Sequence, residues 1–360
     1  MPSSGKAKRG GSASRSETAQ AVLSRAGATG GGARTPRTGK DAHAEAAELT
    51  IVEGRRVLRL TRLQQLWWPD QAITKSDVIE YYRAASDVVV AHLRRRPFTM
   101  KRHYNGPRSP FVWIKDAPPE LPEWIPVSEQ PARSRNGALV RYPLLNDELA
   151  LLWMVDFGCI DLHVWTSRAD RPARPEVVLF DLDAAGVPFT AVVEAALLVR
   201  AALAGLGLES VPMTTGGNGM HVRVPLARRH TYEEARALAT AVAHALRSAA
   251  GDLVTVERSL ARRRGVFIDT TMNGHGQQIV APYSLRPTAA AAVATPLAWD
   301  EVDARLRPER FTMPVVLRRL KRHGDLADAL LRGDQRLPRD RKTAKAARQP
   351  PPHTRHRARP

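Results

Sequence analysis

The chain has a single cysteine, Cys159, in 360 residues, which excludes a disulfide framework and a thiolate zinc site. No apolar run approaches the ~20 residues that a membrane span needs. The first 48 residues hold basic and small polar side chains but no apolar stretch of the kind a secretory signal uses. Acids are scarce too: 36 Asp and Glu stand against 55 Lys and Arg, a formal charge of +19. Lysine is a minority within that excess, with 9 Lys beside 46 Arg. No internal repeat is present. These absences describe a basic protein of a reducing compartment, expected in the cytoplasm in association with the nucleoid and without a membrane partner. The length suffices for one large or two small domains with a buried core. A polyanion is the obvious partner for such charge, yet charge alone dictates neither fold nor chemistry.

The charge is unevenly spread. Residues 1–48 carry eight basic residues and four acids, with too little apolar surface to offset the entropy of ordering them. Residues 336–360 carry nine basic residues against Asp340 alone, with Pro350, Pro351, Pro352 and Pro360 among them. Both segments are expected to be disordered basic tails, and together they hold +12 of the +19. They suit nonspecific phosphate attraction, or simple solvation, since they carry no base-stacking residues. Residues 49–335 keep +7 and are expected to form the folded domain.

Within that block, Thr74-Lys75-Ser76-Asp77 has the form of a capped helix start. Apolar spacing through Val78, Ile79, Tyr82, Ala85, Val89 and Leu93 predicts one helix to about Arg95, stopped by Pro97. Strands are predicted over Phe98–Tyr104 and Phe111–Lys115. The run Val177-Val178-Leu179-Phe180-Asp181-Leu182-Asp183 predicts a buried central strand ending in acids. Helices follow over Phe189–Ala204 and from Thr231 to about Ala249, the second opened by a capping box. Further strands are predicted over Met220–Leu226, Gly265–Asp269 and Gln277–Pro282, and a last helix within Trp299–Leu306. Strands and helices mix without strict alternation, so the expected class is α+β with more than one sheet.

Three groups of residues could carry chemistry. Asp181 and Asp183, two apart on a strand, place both carboxylates on one face, about 6.6–7 Å apart at Cα. Oxygen donors so spaced suit a hard divalent cation. With 19 Asp in the chain, chance alone supplies about one such pair, so the weight lies in its place after an apolar strand. The loop Thr214-Thr215-Gly216-Gly217-Asn218-Gly219-Met220-His221 could turn backbone N–H groups onto an anion, or could be a tight turn followed by a core histidine. Lacking a Lys after its last Gly, it is no P-loop, and His221 shares a strand face with Arg223. Asp269 ends a third apolar strand, and Ser284 with Arg286 follows the next. Each alone has a structural reading; together they fit two-metal phosphoryl or nucleotidyl transfer.

These segments resemble the polymerase domain of bacterial ligase D, in the archaeo-eukaryotic primase superfamily. The likeness rests on Leu179-Phe180-Asp181-Leu182-Asp183, the loop 214–221, Phe267-Ile268-Asp269 and Ala281-Pro282-Tyr283-Ser284-Leu285-Arg286, in that order. It also takes in Trp68-Pro69, Ile73-Thr74-Lys75, Arg96-Pro97, Lys101-Arg102, Leu162-His163 and Thr295-Pro296-Leu297-Ala298-Trp299. It covers roughly residues 57–325, without the ligase or nuclease modules, as in a stand-alone form. The resemblance implies a primase-like fold of mixed and antiparallel sheets flanked by helices, with a DNA-end-binding part over about 49–135 and a catalytic core over about 136–330. It implies a template-directed polymerase or primase that extends DNA ends, gaps or overhangs in double-strand break repair by non-homologous end joining, with Ku and a DNA ligase as partners. Asp181, Asp183 and Asp269 would then bind two Mn²⁺ or Mg²⁺ ions. His163, Thr215, Gly216, Gly217, Asn218, His221, Ser284 and Arg286 would surround an incoming NTP or dNTP. Lys75, Lys101 and Arg102 would meet the DNA, with a 5′-phosphate as their target.

The chain departs from the family pattern in places. Met213 and Asn218 stand where that loop usually has Lys, Thr215 where it has Ser, Ala184 where a Pro follows the acid pair, and Gln65 where an end-recognising Lys is common. Losing a charge-assisted hydrogen bond to the triphosphate should cost roughly 1.5–3 kcal/mol of binding. A catalytically weakened DNA-end-binding or bridging module is therefore the alternative expectation. The acids taken alone would also fit a metal-dependent nuclease or phosphatase.

Overall fold

The computed structural model describes residues 48–131 and 137–338. The two expected tails lie outside the described residues, apart from residue 48 and residues 336–338. A hairpin of β1 (Leu49–Glu53) and β2 (Arg56–Leu60) opens the chain, followed by the short pair β3 (Leu66–Trp68) and β4 (Ile73–Thr74). Thr74 then caps α1 (Lys75–Ala84): its hydroxyl accepts from the Asp77 N–H, and Asp77 accepts in return from the Thr74 N–H. The predicted single helix breaks at Ala85, where φ and ψ reach −100° and 4°. α2 (Ser86–Leu93) restarts with the Ser86 hydroxyl on Glu148 at 2.8 Å, a tertiary contact that helical periodicity does not encode.

β5 (Phe98–His103) and β6 (Phe111–Ile114) form a hairpin. β7 (Val127–Pro131) and β8 (Leu139–Pro143) make another, and α3 (Glu148–Asp156) begins at the Asp147 cap. β9 (His163–Trp165) pairs with β5. β10 (Val177–Asp183), α4 (Phe189–Gly205), β11 (Val211–Thr214), β12 (Gly219–Pro225) and α5 (Tyr232–Ala249) come next, all but the unpredicted β11 close to the predicted bounds. The remaining strands are β13 (Val254–Thr255), β14 (Val266–Asp269) and β15 (Gln278–Val280). The last predicted helix is absent: Trp299–Glu301 makes only a single 3-10 turn, because the backbone leaves the helical region at Val302. The long final helix is instead α6 (Met313–His323), before the short α7 (Ala329–Arg332). Only Met313 and Val316 of α6 are buried, too thin an apolar stripe to announce a helix in the sequence.

Two larger sheets organise the molecule. One has strand order β11-β12-β10-β14-β13, with β10 antiparallel to both neighbours; the other has order β15-β9-β5-β6. The central position of β10 explains its continuous apolar run. On one face Val178, Phe180 and Leu182 are fully buried beneath α4 and α5, whose Val192, Ala196, Val199, Leu238, Ala239 and Val242 complete one core. A second core joins Trp68, Tyr82, Leu93 and Phe98 to Leu151, Leu152, Leu285 and Val293, so it runs from the N-terminal elements through α3 to the chain after β15. No helix among the described residues is long and apolar enough to cross a membrane.

Candidate active site

Strand alternation decides where the acids go. With Phe180 and Leu182 committed to the core, Asp181 and Asp183 project from the opposite face and remain partly exposed. The antiparallel register sets Asp181 opposite Asp269 of β14 on one side and opposite His221 of β12 on the other. Directly opposed residues sit about 4.5–5.5 Å apart, so three charged or polar side chains share one row. β14 pairs with β10 only from Asp181 to Asp183; at Leu179 the buried Asn273 amide takes over, accepting the Leu179 N–H at 2.8 Å and donating to its carbonyl at 2.7 Å. The strand thus stays saturated while its acid end is left open.

The crowding shows in the protonation of Asp183. Burial, and the like charges of Asp181 and Asp269 against a partial offset from Arg263, push its carboxyl up to about 6. Asp269 is held by Thr271, whose backbone N–H and hydroxyl both donate to Oδ1, at 2.7 and 2.6 Å. Burial lowers His221 despite the neighbouring Asp181. Its Nδ1 accepts from the buried Arg223 guanidinium at 2.9 Å, so its proton sits on Nε2, facing Asp181 Oδ1 at 3.3 Å. Among the described residues no group of three or more His, Cys, Asp or Glu side chains is placed, as it stands, to hold a metal ion. The row is an open, oxygen-rich edge.

That edge lines a cleft of about 190 Å³ together with His163, Thr215 and Arg286. The loop after β11 is fixed by its glycines. Gly216 has φ +73°, and a Cβ there would lie 2.7 Å from Arg286 Cγ; one on Gly219 would lie 2.7 Å from the Leu182 carbonyl oxygen. Arg286 donates Nη1 to the Thr215 carbonyl at 2.8 Å, while its Nε is buried without a hydrogen-bond partner among the described residues. Gly217 N–H donates to Thr215 Oγ1 at 3.3 Å, so that amide turns onto its own loop.

Sequence reasoning missed Asp161. Fully buried, it holds Lys101 Nζ at 2.9 Å and His163 Nε2 at 3.0 Å, and stands 4.0 Å from Arg286 Nε. Burial alone would raise its pKa, but contacts with His103 and His163 and the charge of Lys101 hold it well below the usual carboxylate range. Burial conversely lowers His163. The signal available was the Asp-x-His spacing of 161 and 163, which puts both on one side of an extended segment.

Other expected residues lie apart from the cleft. Ser284 is fully buried, accepting the Leu162 N–H at 2.7 Å and donating to the Leu285 carbonyl. Asn218 sits at the exposed loop tip. Lys75 is 1% exposed, paired with Asp156 at 2.7 Å. Arg102 stacks on Phe157 and Tyr104, with Nε on the Phe157 carbonyl. Lys101 stands behind the cleft wall, paired with Asp161, and lies over the Phe111 ring at 4.3 Å.

The chain matches the family described as LigD, primase-polymerase domain, over residues 74–327. It belongs to that family. The multifunctional non-homologous end joining protein LigD of Mycolicibacterium smegmatis is 35% identical over 274 residues, covering 75% of this chain and 35% of that protein. The bifunctional non-homologous end joining protein LigD of Bacillus subtilis is 29% identical over 270 residues, 74% of this chain and 43% of that protein. The polymerase domain of Mycobacterium tuberculosis ligase D, solved in complex with DNA, matches with a TM-score of 0.71 at 31% identity, covering 76% of this chain and 98% of that domain. The chain therefore spans well under half the length of these curated LigD relatives. Its architecture is that of the LigD polymerase domain, with the archaeo-eukaryotic primase fold expected from the sequence. Within it, Met213 is 1% exposed and packs with Val280 and Ala294, so this departure serves the core and faces no phosphate. Of the two positions where the loop lacks an expected Lys, only Asn218 faces solvent.

Proposed function

We propose that this LigD primase-polymerase domain adds nucleotides to the 3′ ends of DNA in a template-directed reaction, within double-strand break repair by non-homologous end joining. The observation that carries the proposal is the strand register that gathers Asp181, Asp183 and Asp269 beside a cleft lined by Arg286, whose Nε has no hydrogen-bond partner among the described residues. The donor set fits hard cations: it is all carboxylate oxygen and partly exposed, so water and phosphate oxygens complete the coordination. Asp181, Asp183 and Asp269 would hold two Mn²⁺ or Mg²⁺ ions, which when bound neutralise charge on the reacting phosphates.

The chain's own residues supply the rest. Arg286 donates to the triphosphate, and Thr215 adds a hydroxyl at the cleft rim, while neutral His163, its Nε2 proton held by Asp161, braces the cleft wall. Asp161 keeps Lys101, His163 and Arg286 in place beneath it. Phe111 and Trp113, 46% and 45% exposed beside His163, offer a ring face to the nucleobase. The 3′ oxygen bonds to the α-phosphorus as the bond to pyrophosphate breaks, and the hydroxyl proton passes to solvent. Ku and a DNA ligase are the partners this reading implies. Dependence on a 5′-phosphate is left out of it, because Lys75 is committed to Asp156.

Incorporation of labelled NTP or dNTP on a 3′-recessed duplex with Mn²⁺ tests the reading. Extension that depends on the template and disappears in Asp181→Ala supports it. DNA binding without incorporation, or incorporation unchanged in Asp181→Ala, refutes it and leaves an end-binding module.

A further inference from the structure

Asp181 and Asp183 line the cleft described above, but Asp269, their neighbour across the register, lines a different cavity. This second cavity, of about 240 Å³, lies between α5 and the end of β14, and its other polar walls are Arg236, Thr240, His244, Arg258 and Thr271. Three of these are basic, and the side chains of Arg236, His244 and Arg258 enter no hydrogen bond or ion pair among the described residues. Arg236, Thr240 and His244 follow one another at four-residue intervals along α5, so they form a single stripe with steps of about 6 Å. Thr240, at its middle, lies 3.2 Å from the hydroxyl of Thr270, the residue after Asp269. The α5 face opposite this stripe is committed to the core through Leu238, Val242 and Leu246. A row of basic and hydroxyl side chains passing beside a carboxylate of the reacting row matches a chain of phosphates that approaches a reactive group.

We propose that this cavity receives the sugar-phosphate backbone of the strand being extended. Arg236, Thr240 and His244, with Arg258 opposite, contact the phosphates behind its 3′-terminal hydroxyl. A strand of duplex DNA advances about 3.4 Å per nucleotide, so the ~12 Å from Arg236 to His244 spans about three to four nucleotides. The two substrates would then occupy two cavities: the nucleotide on the Asp181 and Asp183 side, the growing strand on the Asp269 side. This inference rests on the nucleotidyl-transfer reading and adds the path of the second substrate.

The test uses the full chain with the Arg236→Ala/Arg258→Ala double variant, both positions being exposed. Fluorescence anisotropy first measures binding of a 3′-recessed duplex without nucleotide or metal, so it does not depend on activity. The affinity should fall about tenfold or more, since two charge-assisted contacts to phosphate are lost from exposed guanidinium groups. Neutral methylphosphonates at the second to fourth linkages from the 3′ end should weaken the wild type by a similar factor and the variant hardly at all. Steady-state assays should show a raised KM for the primed duplex, with the nucleotide KM within twofold of wild type. Equal duplex affinity in wild type and variant, or equal weakening of both by methylphosphonate, overturns the assignment. Weakened binding in a chain that shows no incorporation would keep the strand path and refute the catalytic reading alone.

Discussion

Replacing Asp183 with Asn removes one of three carboxylates that burial and mutual repulsion set against one another, and the change should stabilise the metal-free protein. The folded chain holds the Asp183 carboxyl at about 6, against an ordinary value of 3.8. The folded state therefore binds more protons than the unfolded state between these values, and stability falls as pH rises through that window. Above pH ~6 the ionised group costs up to roughly 3 kcal/mol at ~1.4 kcal/mol per tenfold change in proton affinity. Partial exposure of the side chain halves this, so about 1.5–3 kcal/mol is the working range. Asp183→Asn should recover that amount at pH 8 and almost none at pH 4, where the wild-type carboxyl is already largely protonated. For a domain of this size the gain corresponds to about 3–10 °C in Tm. Thermal unfolding in chelator at the two pH values measures it. Wild type should narrow the gap when Mn²⁺ is added, because bound cation relieves the same repulsion. An Asn variant less stable than wild type at pH 8, or a difference that is the same at both pH values, would refute the reasoning.

Other substitutions probe other parts of the site. Asp161→Asn leaves Lys101 and Arg286 without their shared counter-charge; a loss of up to about 3–5 kcal/mol is expected in denaturant unfolding, with a raised nucleotide KM. Gly216→Ala forces a Cβ into a left-handed position, which costs about 1–2 kcal/mol before any clash. It also pushes on Arg286, so nucleotide KM should rise more than KM for the primed duplex. Asn218→Lys restores a cation at the solvent-facing loop tip, and nucleotide KM should fall about tenfold if that charge reaches the triphosphate, as a charge-assisted bond contributes about 1.5–3 kcal/mol. No change there would place the loop tip outside the nucleotide site.

The parts of this protein that were legible in the sequence are those governed by local pattern. Val177–Asp183 could be recognised because a strand buried on both sides must be apolar throughout, so acids at its end stand out. The start of α5 was written in Thr231 and Glu234, which cap each other across three residues. Long-range contacts hid the rest. Asp161 draws its partners from positions 101, 103, 163 and 286, and no window of sequence contains them. Lys75, a surface lysine on propensity alone, is buried because α3 brings Asp156 to it. Ser284 carries a hydroxyl beside Arg286 in sequence, yet the turn after β15 spends it on Leu162. The acids were visible, but their division between two cavities depends on how α5 packs beside β14.

The central claim is that the carboxylates of β10 hold the cations that nucleotide transfer requires. Titrating the full chain with Mn²⁺ in the presence of a nucleoside triphosphate, and following free Mn²⁺ by electron paramagnetic resonance, tests it most directly. The account predicts two protein-dependent Mn²⁺ sites per chain beyond those of free nucleotide, both abolished in Asp181→Asn/Asp183→Asn. Mn²⁺ uptake unaltered in that double variant would contradict it.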